Sequence, residues 1–180
     1  MILQQYKIVF GGSMGAGKSE AIRSISDIEV LTTEAFNTDS TAHEKMLTTV
    51  GIDYGEISLD DGVKVGLYGT PGQNRFDFMW SVICKGAVGI VILIDHNIAE
   101  PLADLEHYVN TFKAYGSNIA VGITHTDLTD AQSLTIYKQW MMQHHCDYPI
   151  FILDARIKQD VLLLIDAIIA TSEVKMNVTA

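Results

Sequence analysis

Basic side chains are scarce in this chain of 180 residues: Lys and Arg number 12 against 22 Asp and Glu, for a formal net charge of −10. A surface that grips a phosphate backbone or an anionic bilayer needs a cationic stripe, so this balance disfavours nucleic acid and charged lipid as partners. Arginine is scarcer still, with Arg23, Arg75 and Arg156 the only three. The two cysteines, Cys84 and Cys146, stand far apart and match no metal or redox spacing, which fits reduced thiols. No apolar run approaches the roughly 20 residues that a membrane-spanning helix needs. The first five residues carry no charged leader region and no myristoylation glycine, and the last five carry no prenylation cysteine. A cytoplasmic protein without a lipid anchor of its own is the expectation.

What is present begins with 48% hydrophobic and 19% charged residues, ordinary for one α/β domain with a sizeable core. The sharpest local signal is Gly12-Ser13-Met14-Gly15-Ala16-Gly17-Lys18-Ser19, between an apolar run (Tyr6 to Phe10) and a helical pattern. Strand, glycine-rich turn, Gly-Lys-Ser and helix together make a phosphate-binding P-loop. The glycines let backbone N–H groups turn inward around phosphate oxygens, and the helix start behind them adds partial positive charge. Gly12, Gly15, Ala16, Gly17, Lys18 and Ser19 are therefore candidate nucleotide-binding residues. Lys18 is placed to reach the β- and γ-phosphates and the Ser19 hydroxyl to take Mg²⁺.

The rest of the chain alternates strands and helices. Strands are expected at 6–10, 53–59, 63–68, 87–94, 119–124 and 149–153, and helices at about 17–26, 74–85, from Pro101, 129–144 and 157–170. Asp60-Asp61-Gly62 marks a hairpin, so the second and third strands are expected to be antiparallel. The fold class is α/β: a doubly wound, mostly parallel six-stranded sheet with one antiparallel edge hairpin, of P-loop NTPase (small G-protein) type. Residues 1–170 form one domain in this reading, and 171–180 a flexible polar tail. Ligands of such sheets bind outside the carboxyl ends of the strands. The segment 27–50 shows no clear period and is long for a connection, which points to function or partial disorder. Phe76, Met79, Trp80 and Ile83 recur at helical spacing and read as core.

With the P-loop, four further stations resemble a Ras-superfamily small GTPase, closest to Arf-like proteins and the bacterial gliding-motility (MglA-type) GTPases, over roughly residues 6–170. Thr48-Thr49-Val50-Gly51 resembles the switch threonine motif. The resemblance implies that Thr49 binds Mg²⁺ through its hydroxyl and contacts the γ-phosphate, so that loss of that phosphate releases the loop. Gly69-Thr70-Pro71-Gly72-Gln73 resembles Asp-x-x-Gly-Gln. It implies that the Gly72 N–H meets the γ-phosphate and that Gln73 orients the attacking water. The family's aspartate, which helps hold Mg²⁺, is missing, since Gly69 stands there. Asp95 and Asp53 are both candidate substitutes. Thr124-His125-Thr126-Asp127 resembles Asn-Lys-x-Asp: Asp127 would accept the guanine N1–H and amine hydrogens, while Thr124 and His125 replace the asparagine and the lysine. Asp154-Ala155-Arg156 resembles Ser-Ala-Lys, with the Ala155 N–H toward guanine O6.

The implied ligands are GTP or GDP with Mg²⁺, the metal held by Ser19 and Thr49. Catalysis would rest on Gln73, Lys18 and, as the only arginine in the segment after Gln73, Arg75, whose simpler reading is an ion pair with Asp77. Met14 stands where Ras-type proteins carry a glycine beside the γ-phosphate, and its side chain would crowd an arginine finger. Slow unaided hydrolysis is the expectation, completed by a GTPase-activating or effector protein, for which the resemblance suggests a roadblock-type partner in bacterial polarity or motility. Two other classes stay open: a P-loop ATPase or small-molecule kinase, and a nucleotide-bound scaffold with little hydrolysis. His144-His145-Cys146 is a poor metal motif, because adjacent helix residues point about 100° apart.

Overall fold

A computed structural model describes residues 5–33, 51–60, 62–72, 74–127, 129–130 and 133–179. The expected alternation is present. Strand β1 (Gln5–Gly11) leads through the glycine loop into α1 (Lys18–Ile25). Then come β2 (Leu31–Thr33), β3 (Ile52–Ser58), β4 (Lys64–Gly69), a 3-10 helix (Asn74–Met79) and α2 (Trp80–Ile83). The second half runs β5 (Gly89–Asp95), α3 (Pro101–Phe112), β6 (Ile119–Thr124), α4 (Thr135–Gln143), β7 (Ile150–Ile152) and α5 (Lys158–Thr179).

The sheet has seven strands in the order β2-β3-β4-β1-β5-β6-β7, not six. The strand missing from the expectation is β2, three exposed residues that pair antiparallel with β3. The predicted antiparallel hairpin is β3–β4, and the pairs from β4 through β7 are parallel. Strands β5 and β6 are buried almost end to end, as parallel strands covered on both faces must be.

Side chains alternate across the sheet and split the core in two. Ile8, Phe10, Leu67, Val91 and Leu93 pack with Ala21 and Ile22 of α1 and with Leu164 and Ile168 of α5. Val9, Ile92, Ile94, Val121 and Ile123 face Trp80, Tyr108, Phe112 and Trp140 on the other side. Trp80 is fully buried and stacks on Phe112 at 5.0 Å between ring centroids, a core residue as its spacing implied.

Helix bounds differ from the expectation at three places. The predicted helix 74–85 is a 3-10 turn followed by a short α-helix. Helix α4 starts at Thr135 instead of 129, after a turn in which the Asp130 carboxylate accepts from the Ser133 N–H and hydroxyl, both at 2.9 Å. Helix α5 does not stop near 170 but continues to Thr179. Asn118 Nδ2 donates to Ile168 O (2.8 Å) and Ser172 Oγ (3.1 Å), which docks the extension on the domain. Among the described residues no helix is long and apolar enough to cross a membrane.

All parallel strands end at one edge of the sheet. β3 runs the other way, so its first residues lie at that same edge: Asp53 sits opposite Gly69, the last residue of β4. The fold thus gathers the loops after β1, β4, β5, β6 and β7, and the start of β3, around one rim.

Candidate functional site

The glycine loop has the backbone its sequence demands. Gly12, Gly15 and Gly17 take φ of 134°, 87° and 96°, conformations that side-chain-bearing residues rarely adopt. Gly17 ends the loop as the N-cap of α1 without a side-chain cap, so the first N–H groups of the helix face the loop's concavity. Lys18 folds back over the loop, and its ammonium donates to the carbonyls of Gly12 and Ser13, both at 2.7 Å. Burial pulls the Lys18 pKa down to about 8, against the opposing pull of Asp53 and Asp104. The Ser13 hydroxyl is buried with no hydrogen-bond partner, an orphan inside a loop otherwise rich in donors.

The loop after β4 leans directly on this cradle. Thr70 is 2% exposed, and its N–H and hydroxyl both reach Phe10 O, at 2.9 and 3.0 Å. A Cβ placed on Gly72 would stand 2.6 Å from Met14 N and 2.9 Å from Lys18 Nζ, so only glycine fits there. Gly72 is therefore packed against the phosphate loop. Met14 itself is 72% exposed at the mouth.

A carboxylate does stand beside position 69, on the neighbouring strand. The Ser19 hydroxyl donates to Asp53 Oδ2, and Thr32 Oγ1 donates to Asp53 Oδ1 at 2.7 Å. Asp53 is 8% exposed. A Cβ on Gly69 would lie 3.2 Å from Asp53 Cβ and 3.3 Å from its Oδ2, so the aspartate on β3 fills the space a side chain on β4 would enter. Asp95, the other candidate, is engaged elsewhere: its Oδ1 lies 3.0 Å from His125 Nδ1 and accepts the Asn97 N–H at 2.9 Å.

At the other end of the rim, Thr124 is 1% exposed and its hydroxyl lies 3.0 Å from Ala16 O and 3.2 Å from Ile94 O, its single proton shared between them. This ties the β6 loop to the phosphate loop through the residue that replaces the family's asparagine. His125 follows in the left-handed region (φ 57°), its carbonyl held by Asn97 Nδ2 at 2.9 Å. Gly17, Thr124, His125, Asp127, Ala155 and Arg156 line one cleft of about 400 Å³, with Asp154 and Glu20 at its wall.

The Arg156 guanidinium bridges two of the cleft's acids, Asp127 and Asp154. Nη2 donates to Asp127 Oδ2 at 2.8 Å and to Asp154 Oδ2 at 2.5 Å, and Nε donates to Asp154 Oδ1 at 2.8 Å. These bonds hold the Asp154 carboxyl down at about 2, and the same acids raise Arg156 above its ordinary value.

The structure thus assembles Gly12, Gly15, Ala16, Gly17, Lys18, Ser19, Gly72, Thr124, His125, Asp127, Asp154, Ala155 and Arg156 along one rim. Thr49 and Gln73 lie outside the described residues, and of Arg75 the backbone in the 3-10 helix is described but not the side chain. Thr32 was missed, because a threonine in an irregular segment carries no motif. The carboxylate, Lys18 and hydroxyl donors suit a nucleotide's phosphates with a hard cation: the orphaned Ser13 hydroxyl, the uncapped α1 start and the Ser19–Asp53 oxygen pair are the groups such a ligand would satisfy.

Comparison with known proteins agrees with a nucleotide-binding P-loop domain. The family described as "conserved hypothetical ATP binding protein" matches residues 25–149. An uncharacterized protein of Methanocaldococcus jannaschii is 25% identical over 156 residues, covering 87% of this chain and 89% of its own length. Ras-related protein Rab-18-B of Danio rerio is 26% identical over 117 residues, covering 63% of this chain and 51% of its own, so the chain spans about half of that relative.

Proposed function

The chain belongs to the family of conserved hypothetical ATP binding proteins, and within it we propose a guanine-nucleotide switch of the Arf-like and gliding-motility type. It binds GTP or GDP with Mg²⁺ and cleaves GTP slowly without help. The observation that carries this is the placement of Asp127 and Ala155 in one cleft with the phosphate loop, joined to it by the bond from Thr124 to Ala16.

In this reading the loop 12–19 holds the phosphates and Lys18 neutralises the β- and γ-oxygens. Ser19, Thr49 and, through the Ser19 hydroxyl, Asp53 form the cation's oxygen side. Bound Mg²⁺ supplies positive charge to the phosphate oxygens. Gly72 presents its N–H toward the γ-phosphate, Gln73 orients water, and Arg75 is the chain's own candidate for extra positive charge. Asp127 reads the guanine N1–H and amine, the Ala155 N–H reads O6, and His125 lies over the base where the family has lysine. Segments 35–50 and 70–80 respond to the γ-phosphate, and a GTPase-activating or effector protein reads them. A roadblock-type partner, a cytoplasmic location and a role in bacterial cell polarity or surface motility are carried over from the gliding-motility resemblance.

A second reading, an ATPase on the same scaffold, is favoured by the family's description as ATP binding and by Thr124 and His125 in the base motif. Calorimetric titration with GTP, GDP and ATP in Mg²⁺ separates the two. Guanine nucleotides should bind at least about tenfold tighter, a difference of roughly 1.4 kcal/mol; ATP binding as tightly would turn the assignment to the second reading. Gln73→Leu should abolish hydrolysis and leave binding intact. Unaided turnover at several per second would refute the slow switch.

A further inference from the structure

The cleft already contains a donor of the shape it reads. The edge of guanine that Asp127 would recognise, N1–H beside the C2 amine, is a guanidine fragment: two coplanar N–H donors on one carbon. Arg156 offers the same fragment, and its Nη2 donates to Asp127 Oδ2 at 2.8 Å. Asp154 anchors the guanidinium beside Asp127 through Nε and Nη2, and the Asp154 carboxylate also accepts the Arg156 N–H at 2.9 Å. Asp154 is set in turn by α5, since its own N–H donates to Asp160 Oδ2 at 2.9 Å.

We infer that Arg156 is an internal competitor of the base: its guanidinium occupies Oδ2, one of the two acceptor oxygens of Asp127, and must turn away before a guanine can take both. The inference rests on the reading of Asp127 as the guanine acceptor. It sets Arg156 against the base in the same motif whose Ala155 N–H is expected to hold it. The contact is a modest one, because the Arg156 and Asp127 side chains are 64% and 54% exposed, and exposed ion pairs are weak. Competition therefore lowers guanine affinity by the fraction of molecules with Asp127 covered, roughly two- to fivefold. Adenine has no such donor pair to exchange for Arg156.

The test measures binding and stopped-flow kinetics of GDP and ADP with the full chain, Arg156→Ala and Arg156→Lys. Arg156→Ala should bind GDP roughly two- to fivefold tighter, almost entirely through faster association. Arg156→Lys, which keeps the charge but not the planar fork, should fall between. ADP binding should not change. With a wild type that prefers GDP, unchanged or weaker GDP binding by Arg156→Ala overturns the inference alone. A wild type that prefers ADP removes the guanine reading, and this inference with it.

Discussion

Replacing Asp53 by asparagine should uncouple nucleotide affinity from magnesium. The Asp53 carboxylate is nearly buried and accepts from two hydroxyls, Ser19 on one oxygen and Thr32 on the other. Asparagine has one acceptor oxygen and no charge, so only one of the two hydroxyls keeps an acceptor and the other must turn to accept from the NH₂ group. Hydrogen bonds to charged groups contribute about 1.5–3 kcal/mol, so the loss amounts to roughly a 10- to 100-fold change in whatever depends on a correctly aimed Ser19 hydroxyl. The assay is GTP affinity in saturating Mg²⁺ divided by affinity in EDTA, for wild type and Asp53→Asn, with unfolding of each protein as the control for general damage. The ratio should fall by that factor. Across the strand, Gly69→Asp alone should destabilise, because its Cβ would stand 3.2 Å from Asp53 Cβ and add a second negative charge. Combined with Asp53→Gly it should restore part of the magnesium dependence. An Asp53→Asn protein with the wild-type ratio would refute the idea that this carboxylate has changed strands.

Lys18, with its pKa near 8, should titrate within an accessible range. GTP affinity should hold below about pH 8 and fall above it, and binding near that pH should take up a proton, seen as a binding enthalpy that varies with the buffer. Since the folded value lies below the unfolded one, the burial of Lys18 costs stability at lower pH and that cost is relieved as pH rises from about 8 toward the usual lysine value; an affinity flat to about pH 9.5 would contradict the assignment. Gly12→Ala should cost at least about 1–3 kcal/mol from backbone strain alone at φ 134°, with its Cβ driven to 2.2 Å from Leu93 O. Thermal unfolding should show a Tm lower by about 2–12 °C, at roughly 2–4 °C per kcal/mol for a domain of this size. Thr124→Val should cost about 1–3 kcal/mol in urea unfolding by removing the proton shared by Ala16 O and Ile94 O, whereas Thr124→Ser should stay near wild type.

The phosphate loop was readable because its signal is local: the glycines, Lys18 and Ser19 that mark it lie within eight positions. The β3–β4 hairpin and the buried strands were readable for a similar reason, from a turn signal and continuous apolar runs. What escaped depends on partners distant in sequence. Leu31-Thr32-Thr33 has no alternation and no burial, and becomes a strand only by pairing with Ile52 to Tyr54. The choice between Asp53 and Asp95 turns on cross-strand register, which places Asp53 against Gly69. The end of α5 looks polar enough to fray, yet Asn118 grips Ser172, and Lys175 donates to Ser117 Oγ at 3.0 Å. In the base motif, Asp127 was visible but its engagement by Arg156 was not, because an arginine two residues past Asp154 is free in sequence to turn toward solvent.

The shared proton of Thr124 has a consequence for what this rim can measure. It joins the phosphate loop, the end of β5 and the base loop into one stiff frame, so the gap between the two ends of a ligand is set before any ligand arrives. In the proposed function the frame would act as a ruler. A free nucleobase or a free pyrophosphate touches one end only. A nucleotide whose length matches the gap makes its second contact from an effective concentration on the order of millimolar.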